Sequence, residues 1–169
     1  MSVEPADPHA GFLELYERSL GEVYGYLVRR CPNEATAEDL TAETFLAAVR
    51  AYRAGSTDVS VPWLIGTARH KLVDHWRREG RQREALDDLY VDAANAVDTG
   101  DPIETLHVRS VLSQIPPHHR AALTLRYLDG LPVEQVAQHL DRSVHATESL
   151  LVRAKASYRQ ACPSEGGAP

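Results

Sequence analysis

The chain is predicted to be all-α, with two small helical domains joined by an acidic, flexible linker. Apolar residues recur at helical spacing through most of the sequence, and no segment shows the alternation of a half-buried strand. Ala, Leu, Arg and Glu, which favour helices, are abundant. The helical pattern lapses over residues 84–101, where Asp and small residues dominate as in a solvated linker. We therefore expect one domain at residues 9–83 and a second at residues 102–162.

Three helices are predicted in the first domain. The first spans Phe12 to Arg30 and carries an apolar stripe. The second spans Ala37 to Tyr52, and Thr36 is its expected N-cap. The third spans Val61 to Arg78 and opens at a Ser with a Pro in the first turn, which is a common helix start.

The second domain is predicted to begin at Asp101-Pro102, a strong helix start, and to contain four helices. They are expected at Ile103 to Ile115, Pro117 to Leu128, Val133 to Leu140 and Val144 to Tyr158. Asp141 and Arg142 form the turn before the last helix, and Ser143 is its N-cap. This pattern predicts a helix-turn-helix. Packing of Val136 and Ala137 against Val144 and Leu151 would leave an outward face made of His145, Ala146, Glu148, Ser149, Val152 and Arg153.

Composition bounds the class of protein. Charged residues make up 25% of the chain, which is ordinary for a globular protein, and no apolar run approaches the roughly 20 residues of a membrane span. The first residues lack a secretory pattern, so a cytoplasmic location is expected. Cys31 and Cys162 are far apart and lack the spacing of metal ligands, so we expect reduced thiols and neither a metal nor a cofactor.

The net charge of −6 is unevenly distributed along the chain. The acid excess is greatest in residues 81–104, with two basic and seven acidic side chains, whereas residues 105–169 carry seven basic and five acidic ones. Residues 69–83 hold six basic and two acidic side chains. A basic segment that also contains Trp76 suits nucleic acid, because phosphates attract Lys and Arg while unstacked bases stack on rings. Core packing is nevertheless the favoured interpretation of Trp63 and Trp76.

Three segments carry a resemblance to a known family: AEDLTAETFLAAVRAY (Ala37 to Tyr52), VPWLIGTARHKLVDHWRRE (Val61 to Glu79) and residues Ile115 to Arg159. In this order, with an acidic linker before the third, they resemble the two conserved domains of bacterial extracytoplasmic-function (ECF) sigma factors. The resemblance implies a transcription initiation factor that binds core RNA polymerase, and whose first domain recognises and melts the downstream promoter element. Its helix-turn-helix would read the upstream element, and an anti-sigma factor would hold it inactive.

The resemblance also implies roles for individual residues. Contacts to core polymerase would come from the acidic face of the second helix, at Glu38, Asp39 and Glu43. The downstream element would meet the basic face of the third helix, at His70, Lys71, Arg77, Arg78 and Arg81. The upstream element would meet the second domain at Arg126, Arg142, His145, Ala146, Glu148, Ser149 and Arg153.

The chain departs from the family pattern at some of these positions. His70 stands where the family usually has Asn, and Ala42 where it often has Gln. Asp141 replaces a Gly in the turn, and Asp tolerates a left-handed conformation better than most residues. Glu148 replaces a Lys, so that it sits over a phosphate, is idle, or accepts a hydrogen bond from a cytosine amino group.

Three alternatives remain beside this interpretation. A sigma-like decoy would bind an anti-sigma protein without contacting DNA, and a simple helix-turn-helix regulator would not bind polymerase. An enzyme would use histidines such as the His118-His119 pair, or His70 with Asp74, as metal ligands or acid-base groups. We expect no enzyme, since neither pair has a third ligand at a matching spacing and the chain has no Gly-rich phosphate loop.

Overall fold

The computed structural model describes residues 8–86 and 103–162, and the regular structure in both stretches is entirely helical, which confirms the predicted fold class. The helices are α1 (Pro8–Val28), α2 (Glu34–Arg53), α3 (Val61–Leu86), α4 (Ile103–Gln114), α5 (Pro117–Leu123), which continues as a π-helical turn (Thr124–Leu128), α6 (Val133–Leu140) and α7 (Val144–Ala161). Within these two stretches no helix combines the length and apolar character needed to cross a membrane.

The chain separates into two compact units, Met1–Leu72 and Val73–Pro169, and the division falls inside α3. The helix α3 continues to Leu86, so the first three residues of the predicted linker are helical. The rest of that linker, and the helix start predicted at Asp101-Pro102, lie outside the described residues. The domain boundaries at residues 83 and 102 therefore stay a prediction.

The first unit has a core between α1 and α2. Leu15, Val23 and Leu27 are buried on α1, and the ring of Tyr16 meets that of Phe45 edge-on with centroids 4.8 Å apart. The start of α2 differs from the prediction: Asn33, not Thr36, is the N-cap, and its side chain accepts a hydrogen bond from the Thr36 amide at 2.8 Å. Thr36 thus lies inside the first turn, because the Asn three residues earlier already satisfies its N–H.

The helix α3 buries one face along its length. Leu64, Ala68, Leu72 and Trp76 recur at helical spacing and are all buried, Trp76 to 1% exposure. The predicted core role of Trp76 is therefore confirmed. The opposite face of α3 carries mainly Lys, Arg and His side chains, with Asp74 exposed among them, so that the amphipathic pattern of this helix produces its basic surface.

The second unit is built around α7, which packs against α4, α5 and α6. Leu112, Ile115, Leu123 and Ala154 form its buried cluster. The last turn of the helix predicted to end at Leu128 is widened, since the Asp129 amide donates to the Thr124 carbonyl five residues earlier at 2.9 Å. A π turn of this kind is frequent at functional sites.

A buried arginine joins α4 to α5. Arg120 is only 2% exposed, and its Nε donates to the Leu112 carbonyl at 2.8 Å. Its Nη2 donates to the Ser113 and Ile115 carbonyls at 3.3 and 3.4 Å. These carbonyls lie at and just past the end of α4, where helix carbonyls lack partners within the helix. Arg120 therefore caps α4 with a charged group.

Candidate protein and nucleic-acid interfaces

The acidic face of α2 opposes its buried stripe. Ala37, Leu40, Thr41, Thr44, Phe45 and Ala48 are buried, which leaves Glu38 and Asp39 exposed. Glu43 is less exposed, and its Oε2 lies 3.7 Å from Lys71 Nζ on α3. Glu38 and Asp39 therefore carry the net charge of this face, whereas Glu43 shares its charge with a cation.

An exposed leucine extends the acidic face of α2. Leu46 is 54% exposed and lies three residues after Glu43, on the same side of the helix. We did not predict a role for it from the sequence. The signal was present, because Leu46 falls out of phase with the buried Phe45 and Ala48. A large apolar side chain among acids is typical of a protein interface and not of a DNA interface.

The basic face of α3 presents the side chains predicted to meet the downstream element. His70, Arg78 and Arg81 are exposed, whereas Lys71 and Arg77 are partly covered. Lys71 pairs with Glu43, and Arg77 Nη2 lies 3.6 Å from Asp141 Oδ2. Both pairs are solvent-accessible, so each stabilises the fold by less than about 1 kcal/mol and can open when a phosphate approaches.

The turn of the helix-turn-helix has the predicted geometry. Asp141 ends α6 in the left-handed region, with φ 52° and ψ 49°. The Arg142 amide donates to the Ala137 carbonyl at 3.0 Å and the Asp141 amide to Gln138 at 3.2 Å, which together form a Schellman motif. Ser143 then caps α7, accepting from the Ala146 amide at 3.1 Å. These bonds set the direction in which α7 leaves the turn.

The outward arc of α7 matches the prediction. His145, Glu148, Ser149, Val152 and Arg153 are exposed, Val152 to 68%, and Ala146 is half-buried. The inner face differs at one residue: Val144 was expected to pack inside and is 41% exposed, whereas Leu150 is buried. Val144 is the first residue of α7, so its side chain lies at the rim of the α6–α7 contact and not between the helices.

The two arginines outside α7 have different surroundings. Arg126 is half-buried, and its Nη1 donates to the Leu131 carbonyl at 3.1 Å. Its guanidinium therefore stabilises the loop around Gly130, and its contact with DNA stays a prediction. Arg142 is exposed beside the N-terminus of α7. Of the two, Arg142 is better placed for a phosphate.

The histidine pair at the start of α5 was considered from the sequence only as metal ligands or acid-base groups of an enzyme. The rings of His118 and His119 meet edge-on with centroids 4.3 Å apart, and His119 Nδ1 lies 2.8 Å from Ser157 Oγ on α7. Burial lowers the pKa of His118, Arg142 and Arg153 lower it further, and Glu84 raises it. Burial, His118 and Arg153 lower the pKa of His119. Sequence spacing gave no signal, because α5, the turn and α7 converge only in the fold.

An apolar groove of about 340 Å³ lies between α4, the π turn and α7. Tyr127 and Leu128 at its edge are 53% and 46% exposed, and Lys155 and Arg159 supply its charge. This lining favours an apolar protein segment with acidic flanks. Among the side chains that the structure describes, no three His, Cys, Asp or Glu converge as metal ligands.

Comparison with known families gives two matches along the chain. Residues 15–82 match Sigma-70 region 2, and residues 106–157 match Sigma-70, region 4. The first match contains the acidic and basic faces, and the second contains the helix-turn-helix.

Two characterised relatives and one solved structure are similar to the chain. It is 30% identical to the ECF RNA polymerase sigma factor SigM of Bacillus subtilis over 147 residues, 84% of this chain and 89% of SigM. It is 29% identical to the ECF RNA polymerase sigma factor BldN of Streptomyces coelicolor over 162 residues, which is 91% of this chain and 61% of BldN. The sigma factor RpoE of Bartonella quintana, solved in complex with the anti-sigma factor NepR, has a similar fold. The TM-score is 0.57 at 16% sequence identity, and the match covers 92% of this chain and 99% of that chain.

Proposed function

The chain belongs to the ECF RNA polymerase sigma factors, and we propose that its surfaces divide the work of promoter use. The acidic face of α2 binds core polymerase, the basic face of α3 meets the downstream element, and α7 reads the upstream element. The observation that carries this proposal is the exposed arc of α7, which presents polar, charged and apolar side chains beyond a properly capped turn.

The outward arc of α7 supports discrimination between base pairs. Ser149 and Arg153 can donate to base edges or phosphates, and Glu148 can accept from a cytosine amino group. Val152 offers an apolar surface to a thymine methyl group. A decoy that binds only an anti-sigma factor would not need this combination, so the arc favours promoter reading over the decoy alternative.

Polymerase binding is assigned to Glu38 and Asp39 with Leu46 beside them. The two carboxylates supply charge complementarity to a basic partner surface, and Leu46 supplies apolar area that such a contact can bury. Glu43 contributes less, because Lys71 already shares its charge. The acidic face of α2 also argues against a simple helix-turn-helix regulator, because such a regulator would not bind polymerase.

The remaining assignments concern enzymatic activity, cellular location and regulation. The chain supplies binding energy and leaves the chemistry of RNA synthesis to polymerase, so we assign it no enzymatic activity. Its partners, core polymerase and promoter DNA, place it in the cytoplasm. Family membership supports control by an anti-sigma factor, and the groove beside Tyr127 and Leu128 offers that factor an apolar contact.

Charge reversal tests the polymerase contact. The double variant Glu38→Arg with Asp39→Arg should lose at least about tenfold in competition for core polymerase, since two attractive charges become repulsive. The matched control is Glu14→Arg with Glu17→Arg, which reverses two exposed acids on α1. Circular dichroism checks that helical content is kept. Equal competition by the parent and both variants would remove the acidic face from the mechanism.

Selection from DNA tests the upstream contact. Reconstituted holoenzyme is presented with promoters carrying a randomised upstream element, and run-off transcripts report use. We expect enrichment of a defined sequence. A holoenzyme that forms but selects nothing there would support the decoy alternative.

A further inference from the structure

The His118-His119 pair borders the arc of α7 that we assign to the upstream element. His119 is tied to α7 through Ser157, which lies one helical turn after Arg153 on the same side. His118 is exposed at the first turn of α5 and contacts the ring of His119. The start of α5, the turn that holds Arg142, and α7 with Arg153 thus bring imidazole and guanidinium groups to one edge of the helix-turn-helix.

We propose that His118 and His119 form a further phosphate contact of the upstream element, in which a protonated imidazole binds the DNA backbone beside Arg142 and Arg153. The inference rests on the proposed reading function of α7. The hydrogen bond to Ser157 occupies Nδ1 of His119, so Nε2 is the nitrogen that a phosphate would meet. A serine hydroxyl can accept from the ring or donate to it, and the anchor therefore persists in both protonation states.

The charges around the pair decide how the contact depends on pH. Arg153 on α7 disfavours a proton on both rings, Arg142 in the turn disfavours one on His118, and Glu84 at the end of α3 favours one on His118. Arg120, the next residue on α5, is held by backbone carbonyls and Glu79. In the free chain the pKa of each histidine is below its ordinary value of 6.5, so both rings are neutral at pH 7.

A phosphate adds negative charge and raises these pKa values in the complex. Binding then takes up a proton between the free and the bound pKa, and affinity rises as pH falls through the bound value. The two rings repel each other's proton, so one proton is taken up and not two. For a pKa rise of about one unit we expect tighter binding at pH 6 than at pH 8, by less than tenfold, because the full tenfold gain is reached only well below the free pKa.

The test uses holoenzyme and duplexes that the parent holoenzyme selected from the randomised upstream element. Affinity is measured by fluorescence anisotropy from pH 6 to pH 8 at constant ionic strength. His118→Gln with His119→Gln should remove the gain at low pH, so that the affinity of this variant is the same at pH 6 and at pH 8. His118→Arg should bind tightly across the whole range. Each variant is compared with the parent at the same pH, so titration of polymerase itself cancels.

Two controls separate this contact from other sources of pH dependence. His107→Gln changes an exposed histidine near Cys162 and should keep the parent profile. His145→Gln shows whether the histidine on the outward arc of α7 contributes to the pH dependence of binding. A double variant that keeps the parent profile would overturn the phosphate contact, as would a flat parent profile, although sequence selection by α7 would stand. A parent holoenzyme that selects no sequence would instead overturn the reading function, and this contact with it.

Discussion

Removing the guanidinium of Arg120 should destabilise the second unit more than any surface substitution. Arg120→Met is the informative change, because Met retains the apolar stem and leaves only a small cavity, while all the donors are lost. The carbonyls of Leu112, Ser113 and Ile115 would then lose a charged donor. Glu79 would lose one partner but keep Arg83, whose Nη2 lies 3.1 Å away.

The size of the effect follows from the three distances. A hydrogen bond to a charged group contributes about 1.5–3 kcal/mol. The bond to Leu112, at 2.8 Å, has full strength, whereas those at 3.3 and 3.4 Å are near the outer limit and count for much less. We expect a total loss of about 3 kcal/mol in the free energy of unfolding. For a unit of this size, that lowers Tm by about 12–24 °C.

Urea unfolding followed by circular dichroism measures the loss, and amide hydrogen exchange localises it. Exchange should accelerate in α4 and α5 and stay unchanged in α1. Arg142→Ala is the control, since Arg142 is exposed and its loss should cost less than about 0.5 kcal/mol. If Arg120→Met costs no more than this control, the capping of α4 by Arg120 contributes nothing to stability.

Two further predictions address promoter contacts. Replacing Lys71, Arg77 and Arg78 with Ala should leave core binding intact and suppress promoter opening, because the basic face of α3 loses three phosphate contacts; full permanganate reactivity of the promoter would contradict this. Glu148→Lys should lose discrimination at one base pair, by about 1–3 kcal/mol, while non-specific affinity rises and the salt slope steepens by about one. Holoenzyme binding across a randomised upstream element measures it, and unchanged discrimination at every base would leave Glu148 without a reading role.

Features fixed by neighbouring residues were predictable from the sequence. The turn at Asp141, the cap at Ser143 and the bounds of α6 depend on residues a few positions apart, and all appear where expected. The outward arc of α7 followed from helical periodicity alone. Periodicity failed at Val144, because the first residue of a helix is not covered by a preceding turn.

Features that depend on tertiary contact were not predictable in this way. His119 and Ser157 are 38 residues apart, and nothing local signals that they meet. The capping role of Arg120 depends on where α4 ends relative to α5. The exposure of Leu46 was visible in the helical phase, but a single exposed Leu is ordinary and acquires meaning only beside Glu38 and Asp39.

Two ion pairs partly neutralise the basic face of α3 in a chain whose net charge is −6. Lys71 pairs with Glu43 at 3.7 Å, and Arg77 pairs with Asp141 at 3.6 Å. Each acid lowers the local positive potential in the free protein, and each pair is weak enough for a phosphate to displace. When a phosphate replaces Glu43 or Asp141 as the partner of Lys71 or Arg77, few counterions are released, because the protein carboxylate had already neutralised the cation. The salt dependence of binding should therefore be shallower than the number of basic residues on this face implies.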